Sequence, residues 1–500
     1  MRWPRAVPPA LTTAGLPSFG ASAERMQTFR TRDYRLAACV FILVWALLAA
    51  PRISGAVTIP YDAKALFHSQ LQFLANAFHS GQSPWWNPNS FAGMPQIADP
   101  QSLIFSPAVL LAYFERIPSF RELDTYVFIL LALGGLAIFK LCQDRGWHPA
   151  GCTVAAIVFA FGASSAWRVQ HIAHIQSLAY FAIGMWLLAR ALQRSSVIYG
   201  VLTGIAAGMM MIEPNQVALL GAYVLAGICV AHWLQSANWR AALIASIKPL
   251  ACAIAAAALL DAVPLISTYL FLESSNRPEI LFSEAVRGSL HPASLLTAVV
   301  PDMFGSISAN VDYWGPYSEW WDKNELTVSF NMSQMYVGSL PVLLVLTVGV
   351  VRGALWAREV RALAVVTLVL LAYALGGHTP VFQVFFHYLP GVAFFRRPVD
   401  ATFLIGTMLA ILAGYLVHLW ASGKLPAASP RARAVEISLL VSILAAGLTI
   451  AWGYGKTADA WKPLAMGAIW IAAAALILST PVAWVKRSAP LAIIAPALFL

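Results

Sequence analysis

Long apolar runs alternate with shorter polar segments along the chain. A helix needs roughly 20 apolar residues to cross about 30 Å of hydrocarbon, because it rises about 1.5 Å per residue. About twelve runs approach this length, at residues 36–57, 125–142, 150–166, 174–192, 197–212, 217–234, 247–270, 334–351, 362–376, 401–419, 435–453 and 463–479. The pattern predicts an all-α polytopic membrane protein with about twelve transmembrane helices.

The distribution of charge between these runs predicts the orientation. With the amino terminus inside the cell, 20 of the 32 Lys and Arg residues fall on the cytoplasmic side. Few acidic residues join them there, and these are Glu24, Asp33, Asp144, Glu359 and Glu436. Because cytoplasmic loops carry an excess of Lys and Arg, we predict that the amino terminus lies inside. Residues 1–35 are then a disordered cytoplasmic segment, and residues 36–500 form the multi-span domain.

Composition supports a membrane location and argues against nucleic acid as a partner. The chain is 59% hydrophobic and 11% charged, with a mean hydropathy of +0.70. Its net charge of +10 is spread over short loops, which indicates topology and not a nucleic-acid surface. The five cysteines lie in or beside apolar runs without CxxC spacing, so neither disulfides nor a cysteine metal site is predicted.

Two long polar segments, residues 58–124 and 271–333, are extracytoplasmic in this topology, and loops of this length often carry function. In the first, Phe67, Leu71, Leu74 and Phe78 recur at helical spacing. This spacing predicts an amphipathic helix on the membrane surface that ends at Gly81. A loop rich in Pro, Gly and Trp follows at residues 81–107, and it is called the Trp-rich loop below.

Candidate chemistry in the first segment begins with Asp62, where the chain leaves the first span. Its carboxylate is suited to take a proton from an acceptor hydroxyl, while the competing interpretation is a cap for the adjacent helix. Trp85, Trp86 and Asn87 are assigned to substrate binding, since indole faces stack on sugars. Interfacial Trp belts are the alternative for the two indoles.

Three polar residues recur at intervals of three before and within the fourth run. Arg168, His171 and His174 form one stripe on a helix, suited to bind phosphate or to relay a proton. Polar packing at a helix end is the competing interpretation. Two further carboxyls are notable: Glu213 in an outer turn, and Asp261 inside an apolar run, where an unpaired charge is costly.

The second polar segment and a later Arg pair supply the remaining candidates. Aromatic residues alternate with acids at Tyr313, Trp314, Tyr317, Glu319, Trp320, Trp321, Asp322 and Glu325, and His291 precedes them. Such alternation suits a carbohydrate site, or else anchors the loop at the interface. Arg396 and Arg397 are placed to clamp a lipid phosphate, with a salt bridge to Asp400 or snorkelling as the alternative.

A set of sequence blocks in fixed order resembles the bacterial YfhO family of membrane proteins. After the acidic residue come GQSPWWNPNSFAGMPQ, GSLHPASLLTAVVPDMFG, YVGSLPVLL, ALGGHTPVF and PGVAFFRRPVDATF, which together cover about residues 58 to 420. That family is similar to the GT-C glycosyltransferases, polytopic enzymes that use polyprenyl-phosphate sugars as donors. The resemblance implies a GT-C-like fold in the bacterial cytoplasmic (inner) membrane.

Carried onto this sequence, the resemblance places Asp62 at the acidic position of the first outer loop, which acts as a base or metal partner. Asp62 is followed by Ala63 and Lys64 instead of a paired acidic motif, and Asp99 is a candidate second carboxylate. A divalent metal ion is therefore left open as a cofactor, and no metal ligand is assigned.

Three functions follow from these observations. The leading hypothesis is a glycosyltransferase that moves a sugar from a polyprenyl-phosphate donor to a glycopolymer or lipid acceptor of the cell envelope, in contact with membrane lipids. The alternatives are a transporter or flippase of a lipid-linked saccharide and a non-catalytic envelope assembly protein. No P-loop, GxSxG or HExxH motif is present, so nucleotide hydrolysis and common hydrolase chemistry have no support.

Overall fold

The computed structural model describes residues 29–274, 280–305, 312–318, 321 and 330–479. The first part of this chain forms α1 (Thr31–Ile53), α2 (His68–Ser80), α3 (Val109–Phe114), α4 (Phe120–Asp144), α5 (Pro149–Phe161), α6 (Ser164–Trp167), α7 (Ile172–Arg194), α8 (Val197–Met211), α9 (Gln216–Gln235) and α10 (Trp239–Ser274). The remainder forms α11 (Phe282–Ala285), α12 (Ser339–Leu344), α13 (Arg361–Ala374), α14 (Pro380–Tyr388), α15 (Thr402–Ala421), α16 (Pro430–Gly453) and α17 (Thr457–Ser479).

Short helical turns connect several of these helices. Two are π-helical, Ala63–Phe67 and Val345–Val351. The 3₁₀ turns are Gln96–Ala98, Val286–Gly288, Pro292–Ala298, Phe330–Ser333, Ala354–Trp356, Gly376–His378, Val392–Phe394 and Pro398–Ala401. The described part of the chain contains no β-strand beyond one isolated antiparallel bridge between Asn87 and Met94.

Nine helices within the described ranges are long and apolar enough to cross a membrane, which makes the chain an all-α polytopic membrane protein. They are Thr31–Ile53, Phe120–Asp144, Pro149–Trp167, Ile172–Arg194, Gln216–Gln235, Trp239–Ser274, Pro398–Ala421, Pro430–Gly453 and Thr457–Ser479. The predicted spans at 197–212, 334–351 and 362–376 correspond to shorter apolar helices, Val197–Met211, Ser339–Val351 and Arg361–Ala374. The number twelve therefore remains a prediction.

The helices divide into a buried centre and an apolar periphery. Most side chains of α4, α5, α7 and α15 are buried against other helices, whereas α1, α10, α16 and α17 expose apolar side chains along most of their length. Helices that are apolar on the faces they expose are stable in lipid, which has no water to penalise them. The exposed surface of the peripheral helices is thus the lipid-facing surface.

Local sequence fixes where the helices begin. Ser119 and Glu122 form a capping box at the start of α4: the Glu122 amide donates to the Ser119 hydroxyl (3.3 Å), and the Ser119 amide donates to the Glu122 carboxylate (2.6 Å). Asn215 caps α9 through the Ala218 amide at 3.1 Å. These caps set the polar turns from which functional side chains project.

Polar side chains gather at two opposite ends of the bundle. The Asp144 end contains the pairs Arg190 with Asp144 and Arg352 with Glu436, each at 2.6 Å. The Asp62 end contains Asp62, His171, Glu213 and the Arg396–Arg397 pair. Two of the acids predicted to face the cytoplasm, Asp144 and Glu436, thus lie at the same end of the bundle, whereas Glu24 lies outside the described residues.

The amphipathic helix predicted after Asp62 is present as the π turn Ala63–Phe67 followed by α2. Phe67, Leu71 and Leu74 are fully buried, and Gly81 ends the helix with a φ of +69°. A left-handed residue at this position favours glycine. Within this polar segment, the buried face of α2 packs against α3 and the preceding π turn.

Candidate functional site

Asp62 lies at the point where the chain turns back after α1. The amide of Ile59 donates to the Asp124 carboxylate at 2.9 Å, which fixes the chain to α4, and Tyr61 takes a left-handed φ of +57°. A non-glycine residue in this region costs free energy and marks a constrained turn. Asp62 then precedes the π turn without making a capping hydrogen bond to it. Its side chain, 50% exposed, points to a different partner.

That partner is His171, whose Nδ1 lies 3.1 Å from Asp62 Oδ2. The hydrogen bond from His171 lowers the pKa of the Asp62 carboxyl, with help from the charge of Arg397 and against the effect of burial. Burial lowers the pKa of His171 to about 4, although Asp62 partly offsets this effect. At neutral pH the carboxylate is therefore ionised and the neutral imidazole donates Nδ1–H to it.

A buried ionic group lies directly beneath this pair. Arg168 forms a salt bridge with Asp400, and both side chains are almost inaccessible. His174 Nε2 lies 3.7 Å from the other Asp400 oxygen, and its ring centroid is 5.5 Å from that of His171. The Arg168 guanidinium also lies over the Phe403 ring at 4.6 Å. Arg168 and His171 lie in the turn between α6 and α7 and only His174 lies on α7, so the predicted stripe on one helix is wrong. The three side chains are nevertheless joined with Asp400 and Asp62 in one continuous polar cluster.

Arg396 and Arg397 are exposed and line a cavity of about 320 Å³, together with Glu284, Arg287 and Gly288. Asp400 pairs with Arg168, so the salt bridge considered for the Arg pair is made by a different arginine. Gly288 permits the close approach of the two segments, because a Cβ there would meet the Arg396 carbonyl oxygen at 2.5 Å. The result is a cavity with three guanidinium groups and one carboxylate.

Arg397 connects this cavity to Asp62. Its charge is near enough to lower the pKa of the Asp62 carboxyl, and its backbone amide donates to Gln216 Oε1 at 3.3 Å. Gln216 in turn donates to the Tyr373 hydroxyl at 2.6 Å, which ties the segment to α9 and α13. An ionised carboxylate and a cationic cavity are thus adjacent at the Asp62 end.

Arg287 and Glu284 were not identified as candidates from the sequence. They precede the GSLHP block in a polar segment, and neither belongs to a recognisable motif. Only the fold brings the turn Val286–Gly288 against the Arg396–Arg397 segment. The only feature of the sequence that pointed to Arg287 was its positive charge within a predicted extracytoplasmic loop.

The Trp-rich loop contains three of the predicted substrate-binding residues, Trp85, Trp86 and Asn87. The indoles of Trp85 and Trp86 are about half exposed. Asn87 is buried, its backbone pairs with Met94, and its Oδ1 accepts the Asn89 amide at 2.9 Å. Asn87 therefore holds the loop together, and the substrate-binding role assigned to these three residues stays a prediction.

The second polar segment places His291 in an aromatic group. Its ring centroid lies 5.0 Å from that of Trp321, 5.4 Å from His378 and 6.1 Å from Tyr317. Trp321 donates its indole N–H to the Trp314 carbonyl at 2.8 Å. Burial, followed by the charge of His378, lowers the pKa of His291.

Several predicted members of that aromatic segment lie outside the described residues, namely Trp320 with Glu319, Asp322 and Glu325. The described members nonetheless join the Arg cavity through Ser289. Its carbonyl accepts the Tyr317 hydroxyl, and its own hydroxyl accepts the Gly377 amide at 2.9 Å. The aromatic group and the cavity are therefore neighbours on the same end of the bundle.

Asp99 makes its contacts in a different polar group from that of Asp62. It accepts hydrogen bonds from Gln70 (3.1 Å) and from the Gln101 amide (2.9 Å), and its charge acts on Glu213. Burial, then Asp99, raises the pKa of Glu213 to about 8, and the backbone amide of Leu103 acts in the opposite direction. Asp99 and Glu213 form a separate polar group at the Asp62 end.

The surroundings of Asp62 do not fit a divalent metal ion. Its neighbours are an imidazole that donates to it and a guanidinium, and neither offers a carboxylate oxygen. Across the described ranges, no three or more His, Cys, Asp or Glu side chains come together as metal ligands.

Comparisons with known proteins add no identification. No protein-family model, curated protein sequence or solved structure matches the chain. The geometry of the Asp62 end is therefore the basis for the function proposed below.

Proposed function

We propose that the chain is a membrane glycosyltransferase that moves a sugar from a polyprenyl-phosphate donor to an acceptor outside the cytoplasmic membrane. The proposal takes the twelve apolar helices as twelve spans, with the Asp62 end extracytoplasmic and the amino terminus inside. The ordered blocks that resemble the YfhO family, and through it the GT-C enzymes, support it. Positive charge in the segments of the Asp144 end supports the orientation.

One observation carries the proposal: an ionised, half-exposed carboxylate lies beside an arginine that lines a three-guanidinium cavity. Group transfer from a sugar phosphate needs a base for the acceptor and positive charge for the leaving phosphate. Asp62 is suited to the first task, and Arg396 with Arg397 to the second. Guanidinium groups bind phosphate oxygens through paired hydrogen bonds, as the task requires.

In the proposed reaction, the hydroxyl oxygen of the acceptor attacks the anomeric carbon of the donor sugar, and Asp62 accepts the proton that this hydroxyl loses. The bond from that carbon to the phosphate oxygen breaks, and the polyprenyl phosphate leaves with the bonding electron pair. Arg396 and Arg397 stabilise the negative charge that develops there. His171 positions the Asp62 carboxylate through its Nδ1–H. Direct displacement inverts the configuration of the sugar.

Exchange of Asp62 for Asn tests the role of the base. Membranes that contain the protein are supplied with labelled polyprenyl-phosphate hexoses and pentoses, and the transfer of label to polymer or lipid is measured. We expect Asp62→Asn to lower the rate by about 10²- to 10⁴-fold, because Asn cannot accept the proton. Glu115→Gln, which removes an exposed carboxylate of the same segment, is expected to leave the rate unchanged.

The leaving-group role is tested with Arg397→Ala and Arg396→Ala, against Arg116→Ala as an exposed control from the first segment. We expect each cavity variant to lose roughly 10²-fold in turnover, with only partial recovery for Lys in place of Arg. Full activity in Asp62→Asn at normal membrane abundance contradicts the proposed function. A transporter or assembly protein would give no label transfer in the unchanged chain.

A further inference from the structure

A second polar site lies apart from Asp62, between the first outer segment and the turn that joins α8 to α9. It is a small cavity of about 10 Å³ whose polar lining comes from Asp99, Ser102, Glu213 and Thr268. The remaining lining residues are apolar. A cavity of about this volume holds one water-sized particle.

Glu213 is the residue that makes this cavity unusual. Its side chain is 3% exposed, and neither carboxyl oxygen makes a well-formed hydrogen bond within the described residues, although the Leu103 amide lies close enough to act on its pKa. Glu213 lines the cavity, so a group bound there lies beside this residue. A buried carboxyl that makes no hydrogen bond costs free energy, so native proteins provide such a group with a partner.

Asp99 is a second acidic residue in the lining of the same cavity, and its charge acts on Glu213. Its oxygens accept the Gln70 side-chain amide at 3.1 Å and the Gln101 backbone amide at 2.9 Å, which hold the carboxyl in place. Gln70 is itself fixed by Gln96, which donates to its Oε1 at 2.7 Å. A carboxylate oxygen can accept more than one bond, so Asp99 remains able to bind a further group.

The lining of this cavity has acceptors but no cation. No Lys, Arg or His side chain lines it, and the titratable groups that face Glu213 are Asp99 and, from α4, Tyr126. Two carboxyls in one small cavity repel each other when both are ionised. A positive charge between them would remove the repulsion and supply the missing partner for Glu213.

We propose that this cavity is a structural cation site in which Asp99 and Glu213 bind one Ca²⁺ ion. Hydroxyl oxygens of Ser102 and Thr268 line the same cavity, so the available donor atoms are oxygens. Hard divalent cations take oxygen ligands, carboxylates above all. The site is independent of the proposed transferase chemistry, since it shares no residue with the Asp62 group.

Ca²⁺ fits the cavity better than Mg²⁺. Mg²⁺ usually keeps several of its water ligands and demands near-ideal octahedral geometry. A cavity of about 10 Å³ leaves no room for such a hydrated ion. Ca²⁺ accepts irregular sets of protein oxygens, including backbone carbonyls, and therefore suits a site in a loop.

The bound ion would join three parts of the fold. Asp99 belongs to the first outer segment, Glu213 to the turn after α8, and Thr268 to α10, where its hydroxyl also donates to the Ala98 carbonyl at 3.2 Å. An ion between them would hold the Trp-rich loop against the bundle. Ligands that bind only the folded state raise its stability.

The test uses the full-length protein in detergent micelles after removal of divalent ions by EGTA. Equilibrium binding of ⁴⁵Ca²⁺ and the thermal unfolding temperature with added Ca²⁺ or Mg²⁺ are measured. We expect one equivalent of Ca²⁺ per chain and a rise in unfolding temperature that saturates with Ca²⁺ and is smaller with Mg²⁺. Glu213→Gln and Asp99→Asn are each expected to lose the bound equivalent.

Glu115→Gln and Asp62→Asn serve as controls and are expected to keep both the equivalent and the Ca²⁺-dependent rise. Two results overturn the proposal. One is the absence of stoichiometric ⁴⁵Ca²⁺ binding and of a thermal effect in the unchanged chain, which would mean that Glu213 simply holds a proton. The other is Ca²⁺ binding of unchanged affinity in Glu213→Gln or Asp99→Asn. The measurement on the unchanged chain decides the matter even where a variant fails to fold.

Discussion

The Arg168–Asp400 pair is the most deeply buried charge pair among the described residues. It contacts the candidate site through His174, whose ring lies beside that of His171. Removal of one member leaves an uncompensated charge in a dry environment, which costs about 3–5 kcal/mol. Asp400→Asn is therefore expected to lower the free energy of unfolding by this amount, because Arg168 keeps its charge. Unfolding in mixed micelles with increasing SDS measures the change.

Asp459→Asn provides the matched control, since Asp459 pairs with Lys456 in a much more accessible position at the start of α17. Exposed pairs of this kind contribute about 0–1 kcal/mol. Equal losses for Asp400→Asn and Asp459→Asn would contradict a buried structural role for Asp400.

At the level of residues, the sequence predicted which side chains carry charge near the Asp62 end but not how they pair. Spacing of three predicted that Arg168, His171 and His174 act together, and all three belong to the cluster, but through a turn and not through the face of one helix. The partner Asp400 is 232 residues away from Arg168, and no local pattern reports such a contact. Arg287 was missed for the same reason.

Close packing of α8 against α10 depends on three glycines of α8 at intervals of four, Gly200, Gly204 and Gly208. A Cβ at Gly204 would collide with the Ala253 carbonyl oxygen, and one at Gly208 would lie 2.9 Å from Leu260. Small residues at this spacing allow membrane helices to approach closely. Since α8 has only 15 residues, its position depends strongly on this contact.

Gly204→Ala is therefore expected to force the two helices apart and to lower the free energy of unfolding by about 1–3 kcal/mol. Gly227→Ala in α9, where a Cβ meets nothing within 4 Å, is the control. It should be neutral, or more stable by up to about 1 kcal/mol, because Ala favours the helix. The thermal unfolding temperatures of the two variants give the comparison, and a neutral Gly204→Ala would contradict the packing argument.

Hydropathy located the helices well and their ends poorly. The predicted run 247–270 lies within α10, which extends from Trp239 to Ser274, and α1 begins at Thr31 instead of residue 36. Hydropathy reports the lipid-exposed portion of a helix, whereas caps and prolines set its ends. In the predicted span 334–351, the helix begins only at Ser339 and continues as a π turn, which apolar patterning alone does not reveal.

For the molecule as a whole, the orientation of the two ends is the central prediction. In a cysteine-free background, Phe91→Cys and Glu284→Cys place exposed thiols on the Asp62 end, and Ala427→Cys places one on the Asp144 end. We expect a membrane-impermeant maleimide to label the first two in intact cells and the third only after lysis. The positive-inside rule is the physical reason.

Labelling of Ala427→Cys alone in intact cells would reverse the orientation and remove the extracytoplasmic acceptor from the proposed function. Labelling of Phe91→Cys without Glu284→Cys would separate the two polar segments. In that case Asp62 and the Arg cavity would not share one compartment.

The length of α10 has a geometric consequence for the edge of the bilayer. A helix of 36 residues is about 54 Å long, and even at a tilt of about 40° it spans about 41 Å, more than the roughly 30 Å of hydrocarbon. About two turns must therefore emerge into the headgroups or the water. The bond from Thr268 to Ala98 places part of this excess beside the Trp-rich loop. The turns of α10 that emerge there cover this side of the Trp-rich loop, so a lipid-borne reactant has to approach the loop from another side.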